Sequence, residues 1–149
     1  MPHNYIILFI FTLCFSYFVA QECIYWGNQN EDTIYIAAIC TGAVTGAVTL
    51  YAFTTKIDFN VIRGMMFVLS MAFLMFFMMS LCFGYWMTSF YAAIMCCFYG
   101  LFLLCDTQLV IKKGRHGLSV DDYITGAMLI YSDIIMIFLY MLALFGGRR

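Results

Sequence analysis

Two aspartates stand where carboxylates are expensive. Asp106 lies in the run L-L-C-D-T-Q-L-V-I and Asp133 in I-Y-S-D-I-I-M-I-F-L. A charged side chain at the centre of a membrane helix costs roughly 2.5 to 3.5 kcal/mol on insertion scales, and such residues face a bundle interior or a water-filled path. Every other segment is therefore read as the container for this pair. A local reading stands beside it: Asp106 capping or solvating a helix end, Asp133 bonding to a Tyr, Ser or Thr on a neighbour. Paired intramembrane acids also suit aspartyl proteolysis. Here Cys105 precedes Asp106 and Ser132 precedes Asp133, so neither a Gly-Asp nor a Tyr-Asp nucleophile motif is present, and an enzyme is not expected.

The container is a membrane protein by composition. Of 149 residues, 65% are apolar and 10% charged, against about 25% charged in soluble domains. The net charge of −1 and the lack of a long basic run argue against a nucleic-acid partner. The seven cysteines show no C-x-x-C or Cys/His spacing for zinc. Those in apolar runs (14, 40, 82, 96, 97 and 105) read as small packing residues. No cofactor is expected.

A hydrocarbon core of about 30 Å takes about 20 helical residues. The apolar runs then predict an all-α fold, a polytopic membrane helix bundle of about five transmembrane helices. Residues 1–149 form a single membrane domain, with spans near 4–20, 33–55, 64–83, 88–111 and 121–145. The first run lacks a basic n-region and ends F-V-A, so it reads as a retained span rather than a cleaved signal. Residues 21–32 are expected to be an acidic loop. Residues 64–105 carry no charge, and as one helix would reach roughly 63 Å, so they must fold back, near Gly84 and Trp86. The methionine-rich part of that stretch reads as adaptable apolar packing, and His116 as a solvated loop residue.

In the second span Ala38, Gly42 and Gly46 recur every four residues. Such a ridge lets a neighbouring backbone approach closely, within the bundle or at a dimer face. Lys56, Arg63 and the cluster from Lys112 to His116 fall on one side, which the positive-inside rule makes cytoplasmic. Arg148 and Arg149 dissent from that orientation.

The motifs resemble the Bax-inhibitor/lifeguard family of multi-span membrane proteins. They are Asp106-Thr107-Gln108-Leu109, the short basic loop, Asp121-Asp122-Tyr123, Ile130-Tyr131-Ser132-Asp133-Ile134-Ile135 and Phe138-Leu139-Tyr140. Upstream, Phe53-Thr54-Thr55-Lys56-Ile57-Asp58-Phe59 and the start at Pro2 and Asn4 fit as well. The resemblance implies seven spans, of which this chain starts at the third. Some members carry glutamate where Phe15 stands here, the nearest counterpart of another family acid is Asp32, a possible supporting acid, and Met95 replaces a small residue.

The resemblance also implies a role: a pH-sensing aspartate pair that gates a calcium leak through an endomembrane, with a cytoprotective, anti-apoptotic effect. It points to the endoplasmic reticulum or Golgi, with the plasma membrane as the alternative, and to partners that include the lipid bilayer, calcium or other cations, and membrane proteins of apoptosis or calcium handling. Physics permits such a pair. Two close carboxylates in low dielectric do not both ionise readily and share a proton. Protonated, they bond to each other and hold two helices shut. Deprotonated, they repel and offer oxygen ligands to a hard cation such as calcium, bound transiently at Asp106 and Asp133.

Depth is the obstacle. Asp106 lies about 9 Å before Lys112 along a helix, and Asp133 about 18 Å past Asp121. The two meet only if the penultimate helix runs on past the interface, or if the helices are offset or tilted. A non-conducting membrane interaction protein, using the Ala38/Gly42/Gly46 face, is the competing expectation.

Overall fold

The computed structural model describes residues 2–55, 69, 88–115 and 120–146. They form four long helices: α1 (Pro2–Gly27), α2 (Glu31–Thr54), α3 (Thr88–Arg115) and α4 (Val120–Gly146). Each contains a stretch long and apolar enough to cross a bilayer: Tyr5–Gly27, Glu31–Thr54, Ser89–Ile111 and Tyr123–Gly146. The class is all-α, with no strand among the described residues. The expected fifth span, residues 64–83, lies outside the described residues, as do the loop 56–63, the turn near Trp86 and the methionine-rich stretch.

The acidic connection between the first two helices is shorter than expected. Gln21, Glu22, Cys23 and Ile24 continue α1, and only Asn28, Gln29 and Asn30 turn the chain. Nothing in Q-E-C-I-Y-W breaks a helix; Gln and Glu are good helix formers. The break comes at Gly27 and Asn28, where the amides of Gln29 and Asn30 both donate to the Trp26 carbonyl (3.1 and 3.2 Å). Asn30 is extended (φ −166°, ψ 115°) and starts α2. Glu31 and Asp32 then sit in the first turn of α2, where the helix dipole favours acids.

Helix α4 is the hub: it packs on α3 most extensively and also on α1 and α2, while α1 and α3 do not touch among the described residues. The core lies along the α3–α4 seam, where Cys96, Leu103 and Ile137 are buried with Tyr99, Ile130, Ile134, Tyr140, Met141 and the α2 residue Val48 around them. Helix α1 joins the bundle through aromatic contacts. Phe11 and Phe15 each meet the Tyr131 ring edge-on at 6.1 Å, and the Trp26 indole lies against Gly146 so closely that a Cβ there would overlap it.

Membrane hydroxyls need acceptors, because lipid offers none. Thr12, Thr41 and Ser132 each donate to the carbonyl four residues earlier in their own helix. That is the local answer open to Ser and Thr in a helix.

Candidate functional site: the α3–α4 seam

The seam is built on a repeat. On α3, Ala92, Cys96, Tyr99, Leu103, Asp106 and Val110 recur at alternating steps of four and three. On α4, Gly126, Ile130, Asp133, Ile137 and Tyr140 do the same. This is the spacing of helices that pack in long, nearly aligned pairs. Leu103 and Ile137 have no exposed surface at all. Both aspartates belong to these stripes, and both are buried, with 4% of Asp106 and 7% of Asp133 exposed. The step of four and three was legible in the sequence, and it is the signal that would have put the two acids on facing surfaces.

Their relative height follows from a ring contact. Tyr99 of α3 and Tyr140 of α4 stack with centroids 5.5 Å apart and planes at 26°. From there each helix takes seven residues, about 10.5 Å, to reach its aspartate. The helices are antiparallel, so both steps run towards the 116–119 connection. Measured from that contact, Asp106 and Asp133 fall at a similar height; measured from the approach of Val110 to Gly126, they differ by about 4.5 Å. The depth difference is narrowed by the length of α3, which stays helical through Arg115 rather than ending near Ile111: Asp106 lies about 13.5 Å from that end and Asp133 about 19.5 Å past Val120.

Beyond the aspartates, towards that turn, the seam tightens. Gly126 is buried, and a Cβ on it would come within 2.8 Å of Val110 Cγ2. On the other side lie the dry Leu103 and Ile137 layer and then the tyrosines. Tyr91 and Tyr140 share a side-chain hydrogen bond and meet edge-on at 6.1 Å. Tyr99 is within electrostatic reach of Asp133.

Helix α3 is enclosed on all sides at the aspartate. Residues 103–108 are all buried, six in a row, which exceeds a full turn of about 3.6 residues. Two members of the motif, Thr107 and Gln108, bury Oγ1 and Oε1 without a hydrogen-bond partner among the described residues. These two polar groups were quoted only as part of a motif in the sequence. Being inside an apolar run, they are costly in the same way as Asp106.

The other expected residues fall elsewhere. Asp32 is exposed in the first turn of α2, at the end where Trp26 meets Gly146. That end lies about 20 Å along α4 from Asp133. Asp32 answers the helix dipole and does not join the pair. Phe15 packs against Tyr131, which leaves α4 about 200° round from Asp133; an acid at that position would face the aromatic corner of α1. Ala38, Gly42 and Gly46 are exposed, and no atom lies within 4 Å of a Cβ built on either glycine. The tightly packed stripe of α2 is one residue over, Thr33, Ala37 and Thr41, all buried. The Ala38/Gly42/Gly46 ridge instead lines an open groove of about 870 Å³ between α1, α2 and α4. No group of three His, Cys, Asp or Glu side chains that could hold a metal occurs among the described residues.

Comparison with known proteins agrees with the motif reading. The chain is 36% identical to protein lifeguard 3 of Homo sapiens over 153 residues, and to that of Mus musculus over 152. Each match covers 99% of this chain and 48% of the relative. It is 31% identical to protein LIFEGUARD 3 of Arabidopsis thaliana, covering 95% of this chain and 56% of that protein. The chain thus spans about half the length of these relatives. No solved structure matches. The model of the family described as inhibitor of apoptosis-promoting Bax1 matches residues 1–149, the whole chain. With four membrane-length helices and these motifs, the chain is an integral membrane protein and belongs to the Bax inhibitor family.

Proposed function

We propose that this chain supplies the gated core of a cation leak in an endomembrane, of the endoplasmic reticulum or Golgi, with Asp106 and Asp133 as latch and transient ligands. The observation that supports the reading is the burial of two carboxylates on the packed stripes of one helix pair. Sharing a proton, they tie α3 to α4. Losing it, they repel across the seam and present oxygens to a passing cation, calcium by preference for hard ligands. The cytoprotective role follows from this reading and the family, as a steady release that limits calcium stored in the compartment. The chain acts as a conduit and catalyses no reaction.

The test is calcium flux from liposomes containing the purified chain. More leak is expected at neutral than at acid pH, and Asp133→Asn should flatten that dependence. Flux no greater than from empty liposomes would sink the leak.

One observation favours a second reading, a membrane protein that modulates others without conducting. The Ala38/Gly42/Gly46 ridge is open along a groove, and small residues are what close helix contacts in lipid use. Crosslinking in membranes that recovers the monomer alone would remove this reading.

A further inference from the structure

Two contacts pin the α3–α4 seam, one on each side of the aspartates. Towards the far end of the pair stands the Tyr99/Tyr140 stack at 5.5 Å, with Tyr140 also hydrogen-bonded to Tyr91. Towards the turn stands the close approach of Val110 to Gly126. Asp133 is seven residues from Tyr140 and seven from Gly126 along α4. It sits midway between the two pins. On α3, Asp106 is seven residues from Tyr99 and four from Val110, again between them.

We propose that Tyr140 with Tyr99, and Gly126 with Val110, are positioning residues that fix the register of α3 against α4 around Asp106 and Asp133, and with it the spacing of the two acids. The inference rests on reading the two aspartates as a pair. The layer between tyrosines and acids, Leu103 with Ile137, is aliphatic and fully buried. Aliphatic layers attract without a strong preference for register. A stacked pair of rings and a contact that only a glycine admits do have one. A slip of one residue moves a side chain about 1.5 Å along the helix and 100° around it, enough to turn a carboxylate out of the seam. Coulomb and hydrogen-bond energies between close acids fall steeply over such distances. Register is thus the quantity that decides whether the acids act together.

Among the described residues, few titratable groups face this region. On α3 and α4 themselves they are Tyr91, Cys96, Tyr99, Cys105 and Tyr140. Helix α2 presents Thr41, Thr45 and Val48 to α4, none of which titrates in the relevant range. Helix α1 presents Phe11 and Phe15 to Tyr131. No basic side chain appears in these contacts among the described residues.

The test reads the pair directly. In liposomes, the carboxyl infrared band removed by Asp133→Asn is titrated with pH. Tyr140→Leu and Gly126→Leu should each move its midpoint by about one pH unit or more, whereas Tyr140→Phe, which keeps the stack, should titrate like the unaltered protein. Should Tyr140→Leu fail to assemble, Tyr99→Met tests the same layer, and Gly126→Val is the milder wedge. Unaltered midpoints in these variants would overturn the proposal. So would a shift in Tyr140→Phe as large as in Tyr140→Leu, which would assign the effect to the hydroxyl. A band that Asp133→Asn leaves in place overturns it as well. Calcium flux from the same liposomes separates the two ideas. Shifted titrations without flux keep the positioning role and defeat the leak; flux with unshifted titrations does the reverse.

Discussion

The α3–α4 pair and the α1–α2 pair are both antiparallel membrane hairpins of similar length, and they are built on opposite principles. Of the membrane stretch in α3, 44% is buried, and in α1 none is. The α3–α4 seam interlocks on a four-three repeat and carries both buried acids, a tyrosine trio and polar atoms of Thr107 and Gln108 without a hydrogen-bond partner among the described residues. The α1–α2 hairpin keeps its acids at the aqueous end, and its hydroxyls at Thr12 and Thr41 are satisfied within their own helices. It leaves a groove where its smallest residues lie. Polar groups in lipid cost several kcal/mol each unless satisfied. Both buried acids lie in the α3–α4 seam, while the buried polar groups of α2 are hydroxyls, of which Thr45 Oγ1 lacks a hydrogen-bond partner among the described residues.

This contrast predicts unequal mutational costs. The largest should come from the dry layer. Leu103→Ala or Ile137→Ala removes a side chain with no exposed surface and should cost about 2–5 kcal/mol. Leu13→Ala in α1, 54% exposed, should stay within about 0.5 kcal/mol. Reversible denaturant unfolding in mixed micelles measures both, and equal losses would erase the distinction between the hairpins.

Next is the glycine pair. Gly126→Leu forces the seam against Val110 and should cost about 1–3 kcal/mol. Gly42→Leu enters open space and should leave stability nearly unchanged in the monomer. A large loss at Gly42 would mean that the groove is filled by a neighbour in the membrane. The same unfolding assay, repeated at several protein-to-detergent ratios, tells the two apart. Smaller again, Tyr91→Phe removes the hydrogen bond to Tyr140 and should cost about 0.5–1.5 kcal/mol. The least effect is expected at Asp32→Asn, which weakens a helix-dipole interaction at an exposed site by about 0.3–1 kcal/mol in low salt.

Several features could be read before any coordinates. Runs of apolar residues matched to the bilayer give helices, because a membrane leaves the backbone few other ways to satisfy itself. Asp106 and Asp133 stood out because their cost is local and needs no fold to be seen. The α1–α2 connection was misplaced because an acidic, polar stretch is equally at home in a loop or in a helix end above the membrane. Which ridge of α2 packs inside the bundle is open in the sequence for a related reason. Ala37, Thr41 and Thr45 and Ala38, Gly42 and Gly46 both repeat every four residues, about 100° apart on one helix. Composition favours the glycines, but only neighbours decide which stripe is covered.

By itself, then, the sequence determined the class of the protein, its membrane helices and the two acids that are hardest to explain as packing. Each of these depends on residue type and short-range spacing. Tertiary structure decided the rest: that α3 continues to Arg115, that Tyr99 meets Tyr140, that Val110 closes on Gly126, and that Asp106 and Asp133 are consequently buried along one seam. Helix register is a relation between segments, fixed by ring contacts and by how near two backbones can come. Neither helix carries that information alone.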